Sequence, residues 1–194
     1  MLLMLLLCLI VVGGIQSCEN DQKESTITDS VTAVNDQQEL ISRGEYLVQI
    51  MGCNDCHSPK RMGTKGPELI SELMLSGYPA GRPIVKSSDP LIRQGFALFN
   101  PDLTAAIGPW GMTFAGNLTP HETGIGNWTE AQFKKALTEG KYKGLDNTRM
   151  LLPPMPWINY ASMKNEDIRA VFTYLKSLEP VDNVVPAPIA PDQL

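Results

Sequence analysis

The chain has 194 residues, 43% of them hydrophobic and 19% charged, with a formal net charge of −5. That length supports one hydrophobic core and not two. Six acids and one base lie between Glu19 and Glu39, while acids and bases balance from Leu40 onward. There is no basic stripe, which excludes nucleic acid binding, and the neutral body gives no sign for a partner.

Leu2 to Val12 is an apolar run too short to span a bilayer, and it is broken by Gly13 and Gly14. It reads as the apolar core of an export signal, with residues 1–17 expected to be removed. Ile15-Gln16-Ser17-Cys18 resembles the lipobox of bacterial lipoproteins, which implies lipidation at Cys18 and a membrane anchor in the bacterial cell envelope, on the periplasmic side. Residues 18–38 are acidic, polar and nearly free of aromatics, a composition expected to form a flexible tether. A single domain is expected over 39–180.

From Gln38 to Met51 apolar residues recur at helical spacing, with Gly44 inside the run. A glycine there weakens the helix by about 1 kcal/mol relative to alanine and suggests close approach of another helix. Cys53-Asn54-Asp55-Cys56-His57 follows, with the C-x-x-C-H spacing of covalent haem attachment. Two thiols on one helical turn reach the two vinyl groups of a single haem, and the next residue aims its imidazole at the iron. A thioredoxin-like reading of C-x-x-C needs a strand before the motif, and a zinc reading needs further Cys or His ligands. The chain offers only His121 besides the motif, in a turn where a solvated loop residue is expected. Cys8 falls in the signal segment, so no cysteine is left for a disulfide.

Residues 59–127 are dense in Gly and Pro and are read as long loops, with a short helix near Glu68 to Ser76. A helix is expected from Trp128, where Thr129 and Gln132 form a capping box. With His121 set aside, a sixth iron ligand falls to a methionine. Met62, Met74, Met112, Met150 and Met163 are candidates, but Met155 stands out within Leu152-Pro153-Pro154-Met155-Pro156-Trp157. Prolines stiffen that loop and let it aim a thioether with little entropic loss. A last helix is expected from Asn165, as N-cap, to Pro180. Residues 181–194 form a Pro-rich tail. The fold class read from this pattern is all-α.

The order of helix, C-x-x-C-H, Gly-Pro segment, methionine loop and terminal helix resembles class I cytochrome c. The resemblance implies that Gly44 and Tyr174 meet where the terminal helices cross. It further implies that the carbonyl of Pro67, in Thr64-Lys65-Gly66-Pro67, accepts the proton of the His57 ring. Gly116-Asn117-Leu118-Thr119-Pro120, Thr123-Gly124-Ile125-Gly126, Pro153-Pro154-Met155-Pro156-Trp157 and Asn165-Glu166-Asp167-Ile168 are similar to the cytochrome c subunits of bacterial membrane-associated dehydrogenases. Those subunits carry several haem motifs and this chain carries one. The resemblance implies an electron carrier, not an enzyme, that exchanges electrons with redox protein partners. One covalent haem c would be held by Cys53, Cys56, His57 and Met155, with Asn117, Thr119, Trp128 and Trp157 around it. A haem sensor with an open sixth site is the alternative. Lys60, Arg61 and Lys65 read as a solvated basic face beside the motif.

Overall fold

A computed structural model describes residues 19–194, so the expected signal segment and Cys18 lie outside the described residues. Two compact units meet between Gln37 and Gln38 in sequence. Helix α1 runs Glu19–Ile50, so the backbone of 19–37 is helical where the sequence reads as a flexible tether. No glycine or proline occurs from Glu19 to Arg43, so nothing interrupts helical hydrogen bonding there.

In the second unit, Gly52 sits in the left-handed region at φ 70° and turns the chain from α1 into α2, Cys53–His57. A hairpin of β1, Lys60–Gly63, and β2, Gly66–Leu69, follows. After α3, Pro90–Arg93, an antiparallel sheet forms from β3, Leu98–Phe99, β4, Ala105–Gly108, and β5, Gly111–Phe114. Helix α4 spans Glu130–Glu139 and α5 spans Asn165–Ser177.

These two sheets correct the all-α reading. Each of their two-residue hairpin turns is flanked by glycines that pair across the turn, Gly63 with Gly66 and Gly108 with Gly111. The strands are no longer than four residues, and β4 is buried along its whole length, so no period-two alternation marks them. The helix expected near Glu68 to Ser76 is a single 3₁₀ turn, Ser71–Leu73. The capping box of α4 forms as expected, with Thr129 and Gln132 bonded reciprocally. The N-cap of α5 is Lys164, one residue before the expected Asn165. The tail is anchored: Ile189 and Met112 exchange backbone hydrogen bonds of 2.9 and 2.8 Å, extending the sheet beyond β5.

The larger core joins the end of α1 to α4 and α5 through Val48, Phe133, Ile168, Val171 and Leu175. A second cluster of Tyr78, Ile92, Ala105, Ile107 and Met112 lies under the sheet. Helices α1 and α5 approach at Gly44, where a Cβ would collide with the carbonyl oxygen of Ala170 and the Cβ of Tyr174. This is the crossing that the resemblance implies. Arg43 adds a 2.7 Å ion pair with Asp167 on its exposed side.

Asp102, 5% exposed, ends the turn before β4. Its carboxylate receives Arg82 at 2.7 Å and the Thr104 hydroxyl and Asn100 amide, each at 2.7 Å. Burial pushes its pKa up, but the bonds from Arg82 and Thr104 outweigh that and hold it at about 2, below the ordinary 3.8.

Two outcomes follow. Gly44→Ala lowers the unfolding free energy by about 2 kcal/mol in chemical denaturation, because backbone and not a flexible tip must move; an unchanged midpoint would show a loose crossing. Asp102 contributes stability that is complete above pH 4 or so and fades as pH falls through about 2. Acid unfolding curves of Asp102→Asn should therefore lose their steepness over that window, with a flat offset above it.

Candidate functional site

Helix α2 carries both thiols and the imidazole of the motif on one turn, directly after α1 and not after a strand, which removes the thioredoxin-like frame. Cys53 and Cys56 are free thiols. Burial pushes the Cys53 thiol up to about 11, and burial followed by the Asp55 carboxylate raises Cys56. Among the described residues no group of three or more His, Cys, Asp or Glu is set to hold a metal ion.

The His57 Nδ1–H donates to the carbonyl oxygen of Gly116 at 2.7 Å. This fixes the tautomer, leaves Nε2 with its lone pair, and makes the ring a better ligand. Burial lowers the pKa of the ring, against the raising effect of the Gly116 bond, so it is neutral at pH 7. Two free thiols and an oriented imidazole on one turn fit covalent haem c.

The acceptor role given to Pro67 is corrected by this bond. Pro67 is exposed in β2, paired with Met62, and the acceptor comes from the segment after β5. A backbone carbonyl has no residue signature, so the sequence offered no means to find Gly116. The polar atoms of Asn117 are bonded within the fold. Its amide nitrogen donates to Thr123 Oγ1 at 3.1 Å and to the Val181 carbonyl at 2.9 Å. Its oxygen accepts from the Thr119 amide at 2.9 Å and hydroxyl at 2.8 Å. The side chain ties its own loop to the tail and has no polar atom to spare for a cofactor.

Of the methionines, Met62 and Met150 are exposed and Met112 lies in the second cluster. Met74, Met155 and Met163 pack, like Cys53, against the larger core. The Met155 loop is held from several sides. Thr113 of β5 donates to the Pro153 carbonyl at 2.8 Å, and the Trp157 ring lies against Gly140. The Pro153–Pro154 bond is cis. Trp128 packs against the larger core, and the His121 Nδ1 meets the Thr123 hydroxyl at 2.9 Å beside Asp182.

Three contacts around α2 escaped the sequence reading. The Tyr160 hydroxyl donates to the Met51 carbonyl at 3.1 Å. The Ser58 hydroxyl donates to Asn54 Oδ1 and accepts from the Leu75 amide, at 2.7 and 2.8 Å. The Lys60 ammonium turns inward onto the motif and not outward with a solvated face.

No protein-family model matches the chain. Individual relatives do. The gluconate 2-dehydrogenase cytochrome c subunit of Pantoea cypripedii is 29% identical over 173 residues, 84% of this chain and 31% of that protein. The fructose dehydrogenase cytochrome subunit of Gluconobacter japonicus is 29% identical over 144 residues, 73% of this chain and 22% of its own length. The cytochrome c subunit of the alcohol dehydrogenase (quinone) of Gluconobacter oxydans is 30% identical over 145 residues, 73% of this chain and 22% of its own length. The chain thus spans less than a third of these relatives. Attachment motif, neutral imidazole and sequence similarity agree: the chain is a homologue of the cytochrome c subunits of bacterial dehydrogenases.

Proposed function

We propose that this chain is an electron carrier with one covalently held haem c, ligated by His57 and Met155. The observation that carries the reading is the His57–Gly116 hydrogen bond, which presents the ring to a ligand on the same turn as two free thiols. When bound, the haem supplies a one-electron couple.

Every other contribution belongs to the chain. Cys53 and Cys56 hold the group through thioethers, which keeps it in place outside the cytoplasm. His57 would supply one nitrogen ligand. Met155, on a proline-stiffened loop tied to Thr113, supplies the other ligand, and histidine–methionine ligation raises the potential. With His57 and Met155 both bound to it, the group would supply electron transfer and leave no position for substrate. Cys53 and Met155 both pack against the larger core.

The relatives are subunits of dehydrogenases for fructose, gluconate and alcohol. The corresponding role here is to take an electron from a dehydrogenase or quinol-oxidising module and pass it to a terminal acceptor. Lipidation at Cys18, with 18–38 as the link, would hold the domain at a membrane of the bacterial envelope.

The test is the optical spectrum of the ferric protein. Wild type should show the weak red band of sulfur bound to ferric haem, and Met155→Ala should lose it and bind carbon monoxide when reduced. A wild type that lacks the band and binds carbon monoxide readily would overturn the methionine assignment in favour of a sensor with an open site.

A further inference from the structure

Helix α2 has five residues, and Pro59 follows it by two. Proline has no N–H, so the Asp55 carbonyl cannot receive the helical bond from the residue four positions later. The Lys60 ammonium stands in its place, 2.7 Å from the Asp55 oxygen. The same nitrogen lies 3.1 Å from the Asn54 carbonyl and 3.0 Å from the Ser58 carbonyl. A fourth carbonyl, that of Asp102, is 3.1 Å away on the turn before β4. The Lys60 backbone N–H also points at Asp102 Oδ2, at 3.4 Å. Asp102 is itself locked by Arg82, Thr104 and Asn100.

We propose that Lys60 is a positioning residue of the cofactor site: its ammonium closes the C-terminal end of the C-x-x-C-H turn and straps it to Asp102 on the turn before β4. The inference rests on the haem reading above. Two physical consequences follow from the geometry. A cation sits where the carbonyl dipoles of the turn point, and this is the stabilising sign at a helix C-terminus. It also remains a fixed positive charge beside the residues that hold the cofactor, which favours the reduced state, whose iron is less positive. The turn before β4 thereby acts on the redox centre through a hydrogen-bonded lysine and contributes no ligand. Arg61 and Lys65, both exposed, have no such part.

The experiment compares holoprotein variants at equilibrium with a redox mediator. Lys60→Met should lower the reduction equilibrium constant by about tenfold, the effect of one unit charge at moderate distance in a partly polarisable medium. Its circular dichroism in the haem absorption region should change, reporting a reoriented ring and turn. Lys60→Arg, which keeps charge and donors, should restore the equilibrium constant. Lys60→Gln serves where the methionine variant does not mature, and it should also lower the constant. Ile92→Ala, in the second core cluster, is the control, with lower stability but the wild-type equilibrium constant. If Lys60→Met or Lys60→Gln matches wild type in potential and haem dichroism while losing only stability, Lys60 is structural filler and the inference is overturned. A wild type without covalent haem overturns the haem reading itself, an outcome seen before any variant is compared.

Discussion

A helix of five residues makes too few internal hydrogen bonds to offset the backbone entropy of ordering it. Helix α2 is that short, yet it must present two sulfurs and one nitrogen in fixed relation. Its order therefore comes from outside, and much of the surrounding structure supplies it. Helix α1 leads into it through Gly52, and the Tyr160 hydroxyl holds the Met51 carbonyl between the two helices. Ser58 links Asn54 to the Leu75 amide, and the His57 carbonyl accepts from Gly77 at 2.7 Å. Lys60 covers the Asp55 carbonyl that Pro59 leaves without a donor.

The segment 113–116 serves both proposed axial ligands. Thr113 bonds to Pro153, two residues before Met155, and Gly116 bonds to His57. One short backbone stretch thus ties down the histidine and the methionine loop. The same stretch is secured by Ala115, whose N–H donates to Thr104 and whose carbonyl accepts from Tyr78, at 2.8 and 2.9 Å. Asn117 then continues the chain into a loop fastened to Val181. A sheet that contributes no ligand therefore matters to the site because it holds the backbone on which both ligands depend.

The legible parts of the sequence were those with strong local chemistry. The C-x-x-C-H spacing, the Thr129–Gln132 capping box and the apolar face of Ile168, Val171 and Leu175 each state their structure within a few residues. Gly44 was legible through its cost in a helix, and the Ala170 carbonyl explains why that cost is borne. The illegible parts depended on distant partners or on backbone atoms. The strands β3 to β5 are short and partly all-buried, so alternation could not mark them. The Gly116 carbonyl has no side chain to announce it. Asn117 was noticed as a polar residue in a similar motif, but its bonds to Thr119, Thr123 and Val181 use it up within the fold. Lys60 reads in sequence as one of several surface cations, and only the missing N–H of Pro59 hints that it turns inward.

The most direct test of the account is the mass of the purified chain under denaturing conditions, with wild type beside Cys53→Ala/Cys56→Ala. The account predicts that wild type carries the added mass of one haem through denaturation and that the double variant carries none. A wild-type mass that corresponds to the bare polypeptide, or to a Cys53–Cys56 disulfide, would contradict it.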